Sequence, residues 1–401
     1  MKIIHTGDWH IGKIVNDFSM IDDQIHILGK LKELIINEKP DVLIIAGDIY
    51  DRSIAPVEAV ELLNSFFSEV VLNLKINVLA IAGNHDSGER IDFGSGLFEK
   101  QGLYMEGTLK EEVKKVTIKD KDGNVNFYLL PYVHPSQVRK YYNNNEIKDH
   151  NDAMKFLVGK IEEKINKEDR NILITHGYVT MNREKALDAE EKIYEAADLE
   201  ASESERPLSI GGTDLIDGNI FSSFDYVALG HLHGKQKVGS DKIRYSGSLL
   251  KYSFSEINHK KGVTIVNIDS ERNLDINHIE LKAKRDLRTI IGPIDELIKA
   301  GYDEKAGRVD YIQAILTDEG ELIDPIQKLR SVYPNVMLLK RENIKGKNDS
   351  LNSVAHGHRN KSKLELFTEY YEAMGAGEFS EVKRDLIKSI IDETINGEVK
   401  K

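Results

Sequence analysis

Five short motifs in this 401-residue chain carry residue types that could do chemistry together: Asp8-Trp9-His10, Gly47-Asp48-Ile49-Tyr50-Asp51, Gly83-Asn84-His85-Asp86, His176-Gly177 and Gly230-His231-Leu232-His233. Each follows directly on a short apolar, strand-like run. Ligand sites in α/β sheets gather outside the carboxyl ends of the strands, so motifs far apart in sequence can meet at one edge. The glycines allow the sharp backbone turns that lift a side chain out of a sheet. Imidazole, carboxylate and amide oxygen suit manganese, iron or zinc, and a chain without cysteine has no thiolate for a structural zinc site. Asp8, His10, Asp48, Asn84, His176, His231 and His233 are too many donors for one ion. They suit two divalent ions that share a bridging carboxylate. Two such cations, roughly 3.5–4 Å apart, can clamp the attacking and leaving oxygens of a displacement at phosphorus. They also lower the pKa of a water between them. A single histidine is more often structural than a ligand, but five at strand ends, interleaved with Asp and Asn, point to a site. Asp86 fits a turn-former better than a ligand, and Trp9 a packing residue beside the site. His5 and His134 read as structural, and His356-Gly357-His358 follows no strand and carries no metal expectation.

The elements that must position these groups alternate strand and helix. A helical pattern from Asp22 to Glu38 puts Ile25, Leu28, Leu31 and Ile35 on one face. Val42–Ala46 and Val78–Ala82 are continuous apolar runs of the kind buried on both faces of a sheet. Between them Pro56 opens a helix over Val57–Leu74. Further strand-like runs are Phe127–Leu130, Ile172–Thr175, Tyr226–Leu229 and Val263–Ile268, and their crowding after residue 225 favours a mixed sheet or sandwich flanked by helices. Arg183–Ser209 reads as an exposed, charged, helix-prone insertion near the site.

A boundary near residue 280 precedes a small α/β module with a helix at Ile294–Ala300, a strand at Tyr311–Leu316 and a helix at Pro325–Ser331. Asn343–Lys363 is polar and reads as a linker. Lys340, Arg341, Lys345, Lys347, Arg359, Lys361 and Lys363 around it read as a solvated tether. Two amphipathic helices close the chain. One carries Phe367, Tyr370, Tyr371 and Met374; the other, capped by Ser380, carries Val382, Leu386, Ile387, Ile390 and Ile391. Isolated helices of this length are marginal in water, so an apolar face after a polar tether calls for a partner.

No run approaches the roughly 18 apolar residues of a bilayer span. The start of the sequence has no charged-then-apolar leader pattern, so a soluble cytoplasmic protein is expected, with no membrane association. The net charge of −12 sits awkwardly with nucleic-acid binding, where a basic surface is the usual footprint. Either a partner shares the phosphate contacts or the substrate is small.

The ordered motif set resembles the calcineurin-like metallophosphoesterase superfamily. Within it, Asp8-Trp9-His10, Gly47–Arg52, Gly83–Arg90, Ser209-Ile210-Gly211-Gly212, Gly230–His233 and Tyr245–Phe254 are similar to the nuclease subunits of SbcD type. The likeness covers roughly residues 1–280 by motif, and the terminal helices match only in kind. It implies an α/β metallophosphoesterase sandwich of two sheets flanked by helices over 1–280, a capping domain over 281–342, a linker over 343–363 and partner-binding helices over 364–401. It places Asp8, His10, Asp48 and His233 on one ion and Asp48, Asn84, His176 and His231 on the other, with Mn2+ the expected metal. His85 would reach the scissile phosphate, oriented by Asp51. The implied activity is two-metal hydrolysis of DNA, exonuclease on duplex ends and endonuclease on single strands or hairpins, in double-strand-break processing, recombination and replication. The implied assembly is a homodimer within a heterotetramer with an SbcC-type ATPase. A phosphatase or phosphodiesterase acting on a small molecule or phosphoprotein would use the same metal frame without needing the cap or tail. An inactive scaffold would be expected to have lost donors, and here all seven are present.

Overall fold

The computed structural model describes residues 1–189, 193–205, 214–303, 307–342, 364, 367–368 and 381–398. Two six-stranded sheets pack face to face. The first runs in the order Leu274–Glu280, Gly262–Ile268, Lys2–Thr6, Val42–Ala46, Asn77–Ile81, Leu103–Glu106. Its last four strands are mutually parallel. The second runs Gln236–Val238, Ser240–Tyr245, Tyr226–Gly230, Arg170–His176, Gly123–Leu129, Lys114–Asp120, with the middle four parallel. Ile3, Ile44 and Leu79 of the first sheet meet Phe127, Ile172 and Ala228 of the second in a dry interior. The continuous apolar runs have this cause: every residue of Val42–Ala46 is buried, one face on the other sheet and one on helices. The outer face of the first sheet is covered by the helices Ile21–Glu38 and Val57–Phe67, the latter continuing as a wider π-helical stretch over Ser68–Asn73. Pro135–Tyr142 and His150–Glu162 cover the second. The expected sandwich is the observed architecture.

Three local expectations need correcting. Ile25 is 53% exposed, because the buried stripe of its helix runs through Gln24, Ile27, Leu28, Leu31 and Ile35 and Ile25 lies about 100° off its centre. The segment from Arg183 is not simply an exposed insertion: after short helices at Arg183–Leu187 and Ile193–Ala196, Leu199, Ser202 and Glu205 are buried. Lys340 and Arg341 are no tether, for they end a strand, Val336–Arg341.

That strand belongs to the capping module, a three-stranded parallel sheet of Leu287–Gly292, Tyr311–Leu316 and Val336–Arg341 under the helices Ile294–Ala300 and Pro325–Arg330. It has its own core of Ile312, Ala314, Leu316, Leu329 and Val336 among others. The cap docks on the first sheet's helix through buried Asp23, which pairs with Arg285 at 2.8 Å and accepts from the Tyr311 hydroxyl at 2.7 Å. Of the expected tail, the helix Glu381–Glu398 is described, with Leu386 and Ile390 exposed. Residues 343–363, Tyr370, Tyr371, Met374, Ser380, the Ser209–Gly212 motif and His356-Gly357-His358 lie outside the described residues, as does the side chain of Val382.

Candidate metal centre

The carboxyl ends of the parallel strands reach the same edge of the sandwich. Asp8 and His10 follow Lys2–Thr6, Asp48 follows Val42–Ala46, and Asn84 and His85 follow Asn77–Ile81. On the second sheet His176 ends its strand and His231 and His233 follow Tyr226–Gly230. The turns that present them are unusual. Asp8, His10, Asp48 and His231 have φ of 55°, 45°, 49° and 110°, in a region that residues with a Cβ rarely occupy. Gly47, at φ 89°, and Gly230 pass so close to their neighbours that a Cβ on either would press into His176 or the Ala46 carbonyl. Only glycine lets the two sheets approach here.

All seven expected donors come together, and all but Asn84 are buried. Ligand atoms of Asp8, His10 and Asp48 lie within 4.8 Å of one another, and so do those of Asp48, His176 and His231, so Asp48 belongs to both groups. His233 joins the first, its Nε2 3.0 Å from His10 Nε2. Asn84 joins the second, its Oδ1 2.9 Å from both His176 Nε2 and His231 Nδ1. Asp48 Oδ2 stands between, 3.6 Å from His10 Nε2 and 3.5 Å from His176 Nε2.

The hydrogen bonds behind these rings test whether cations fit. His176 Nδ1 faces the Ala46 carbonyl at 2.9 Å and must donate to it, so a cation that takes the place of the second ring proton meets the Nε2 lone pair beside the Asn84 amide oxygen. His233 Nδ1 is engaged by Ser204 Oγ at 2.7 Å, so its Nε2 likewise turns a lone pair on His10. Among the described residues Asp8 Oδ2 and His231 Nε2 are buried without a hydrogen-bond partner. So many buried acceptors crowded together call for positive charge among them, which protons supply in the ion-free protein and divalent ions can replace, and oxygen and imidazole donors of this kind fit such ions.

Charge follows the same logic. Burial raises the Asp8 carboxyl to about 7. Burial also opposes charge on Asp48 and His176, but their mutual attraction prevails: Asp48 falls well below the usual carboxylate range and His176 rises to about 9. Burial, with charged neighbours, holds His10 and His231 well below an ordinary histidine.

His85 stands beside the donors, its ring centroid 4.7 Å from that of His10. Its main-chain N–H donates to Asp48 Oδ1 at 2.9 Å. The expectation that Asp51 orients its imidazole takes another form. His85 Nδ1 meets the main-chain carbonyl of Asp51 at 2.9 Å, while the carboxylate turns to Lys13 at 2.7 Å and stands 3.6 Å from His10 Nδ1. The lysine ammonium makes the stronger, charge-assisted bond to a carboxylate. Asp86 is a turn-former as expected, its carboxylate accepting from the N–H groups of Ile49, Tyr50 and Gly83 at 2.9–3.0 Å. Trp9 is buried against Phe66 and cannot stack on a substrate. His5 is buried between Tyr226 and the Leu229 carbonyl, and His134 caps the helix Pro135–Tyr142.

Sequence reasoning misses several supports. Gln24 Nε2 donates to the His10 carbonyl at 2.8 Å and the Tyr252 hydroxyl donates to that of Trp9 at 2.5 Å, fixing the first motif. A polar residue on the buried side of an amphipathic helix is the one available signal for Gln24. Ser204, Glu256 and Lys261, which gather behind His233, give no signal of their own.

Donors of these types at the strand ends of a two-sheet sandwich define a calcineurin-like metallophosphoesterase. The family profile described as Calcineurin-like phosphoesterase matches residues 1–235. A second, the Type 5 capsule protein repressor C-terminal domain, matches residues 283–375. The sequence is 33% identical over 399 residues to the SbcD subunit of nuclease SbcCD from Staphylococcus epidermidis, covering 99% of this chain and 100% of that protein. It is 37% identical over 342 residues to the protein of the same name from Staphylococcus saprophyticus subsp. saprophyticus, covering 85% of each. The crystal structure of a dimetal phosphatase from Danio rerio is 12% identical, covering 71% of this chain and 98% of that one, at a TM-score of 0.38, too low to carry weight. The chain belongs to the SbcD family of calcineurin-like phosphoesterases.

Proposed function

We propose that this chain is the nuclease subunit of an SbcCD-type complex and hydrolyses phosphodiester bonds in DNA at a two-metal site. The observation that carries the reading is Asp48, whose carboxylate is shared by two groups of converging donors in a chain similar over nearly its whole length to nuclease subunits. Asp8, His10, Asp48 and His233 hold one ion and Asp48, Asn84, His176 and His231 the other, and Mn2+ suits that oxygen and imidazole set. Divalent ions held there draw charge from the phosphoryl oxygens and make a water nucleophilic near neutral pH. The protein's own groups do the rest. Asp48 fixes the spacing of the two donor groups, and the His85 N–H holds the Asp48 carboxylate in register. The Asp51 carbonyl takes the hydrogen of His85 Nδ1, so Nε2 is the ring nitrogen left for the substrate, and in the imidazolium form its own hydrogen can stabilise charge on the phosphate and pass to the leaving oxygen.

The assembly follows the same reading. The sandwich carries the chemistry, the cap over 281–342 and the linker over 343–363 separate it from the tail, and helices in 364–401 bind an SbcC-type ATPase. Leu386 and Ile390 on the exposed face of Glu381–Glu398 support a partner there. Homodimerisation within a heterotetramer draws support from large apolar side chains left exposed on the segments that follow two of the site's motifs, Ile54 and Val57 after Asp48 and Phe93, 83% exposed, and Leu97, 72% exposed, after His85. With DNA as substrate and no helix among the described residues long and apolar enough to cross a membrane, the cytoplasm is the compartment proposed.

The deciding experiment incubates the purified chain and Mn2+ with end-labelled duplex DNA, a DNA hairpin and a phosphomonoester. Cleavage of both DNAs with little turnover of the monoester is expected. Monoester turnover without DNA cleavage would overturn the reading.

A further inference from the structure

Behind His233 lies a buried polar cluster with no part in the chemistry above. Ser202, Ser204 and Glu205 come from the segment after Ile193–Ala196, and Glu256 and Lys261 from the turn before Gly262–Ile268. Glu256 is wholly buried, and Glu205, Ser202 and Lys261 are nearly so. Charges taken out of water need partners, and here an ion pair and a set of hydrogen bonds supply them. Lys261 Nζ forms an ion pair with Glu256 Oε2 at 2.5 Å and donates to the His233 carbonyl at 2.8 Å and to Ser248 Oγ at 2.9 Å. Glu205 accepts from the main-chain N–H groups of His233, at 2.5 Å, and Ser202, at 2.9 Å. Both peptide polar groups of His233 are thus held by this cluster.

The proton count then fixes the ring. A carboxylate paired with Lys261 only accepts, so at 2.5 Å the Ser204 hydroxyl must donate to Glu256 Oε1. A hydroxyl has one proton. With it committed, Ser204 Oγ can only accept from His233 Nδ1 at 2.7 Å, so Nδ1 carries the hydrogen and Nε2 the lone pair. Glu256 alone, at 3.5 Å from Nδ1, is at the limit of doing this directly. His176, across the site, is fixed by a main-chain carbonyl instead.

We propose that Ser204 is a positioning residue for His233, relaying Glu256 to Nδ1 so that Nε2 is held ready for the ion shared with Asp8, His10 and Asp48. This rests on His233 being a ligand, and it makes the affinity of one ion depend on a side chain from the inserted segment while the other does not.

The test uses the full chain stripped with EDTA and titrated with MnCl2 by calorimetry and electron paramagnetic resonance, as wild type, Ser204→Ala, Ser204→Thr and His233→Ala. Ser204→Ala is expected to bind one ion as wild type and the other about 10- to 100-fold more weakly. Ser204→Thr, which keeps the hydroxyl, should restore both. The 15N resonances of His233 in the ion-free protein should give one tautomer in wild type and a mixture in Ser204→Ala, a change that loss of packing alone would not cause. Should Ser204→Ala melt early, Ser204→Gly gives a second chain without the hydroxyl for the same titration. Two wild-type affinities and a single tautomer without the hydroxyl would overturn the relay. If His233→Ala then loses an ion, the relay alone has failed; if it keeps both, the ligand assignment has failed with it.

Discussion

Replacing His85 with alanine sets two possible uses of its imidazole against each other. Ligand atoms of His10, Asp51 and His85 lie within 4.8 Å of one another, so the ring stands close enough to share an ion. Yet its Nδ1 is engaged by the Asp51 carbonyl and its side chain is only half-buried, which suits a group that meets substrate. Alanine keeps the main-chain N–H bond to Asp48 Oδ1, so the bridging carboxylate stays where it is. It gives up one half-exposed hydrogen bond, about 1 kcal/mol of stability. Removal of a proton donor or charge stabiliser costs about 10²- to 10⁴-fold in rate, roughly 3–5.5 kcal/mol in the barrier. The expected variant therefore folds, holds two Mn2+ per chain by mass spectrometry after dialysis, binds DNA as wild type and cuts labelled duplex at least about 100-fold more slowly at saturating metal. A fall to one ion or none would make His85 a ligand and undo the proposed partition. A near-normal rate with both ions bound would leave it no chemical role.

Asp48→Asn should weaken both ions together, because one charge serves two cations, and titration with Mn2+ should find no wild-type affinity left; one intact site would remove Asp48 from the bridge. Gly230→Ala should cost several kcal/mol and disorder the site, since its methyl would meet the Ala46 carbonyl and crowd His176 Nδ1, and an unchanged melting temperature would refute that packing. Asp120→Asn should destabilise the fold by about 3 kcal/mol in chemical denaturation, because buried Arg170 loses a bidentate partner at 2.6 and 3.0 Å. Arg170 holds the Asp120 carboxyl well below its unfolded value, so its stabilisation is full above about pH 4 and lost as the pH falls below that; wild type and Asp120→Asn should converge in acid. A chain ending near Glu342 should keep both ions and Mn2+-dependent cleavage but fail to co-purify with an SbcC-type ATPase, and undiminished binding would place the partner surface on the globular domains.

What the sequence makes legible here is set by where the chemistry sits. Asp8, Asp48, Asn84, His176 and His231 each follow an apolar run at once, so strand periodicity announces both the sheet and its functional edge. The cap strand Tyr311–Leu316 and helix Ile294–Ala300 are legible for the same reason. The cap strands Leu287–Gly292 and Val336–Arg341 are not, because Arg288, Lys340 and Arg341 break their apolar pattern. Side-chain direction is the other blind spot. No spacing rule says that Asp51 offers its carbonyl to His85 and its carboxylate to Lys13, since that choice depends on which cation folds against it. Nor can local pattern join Ser204 to Glu256, which meet only when two loops close over His233.

The left-handed backbone at Asp8, His10, Asp48 and His231 has a consequence for how such a chain can change over generations. Each such residue costs on the order of 1 kcal/mol or more relative to glycine, with His231 at φ 110° the most strained. At these positions the change that best relaxes the main chain is also one that deletes a donor. Mutants chosen for heat tolerance alone would therefore drift toward an intact, sturdier and inert sandwich, and only selection on cleavage itself holds the donors in place.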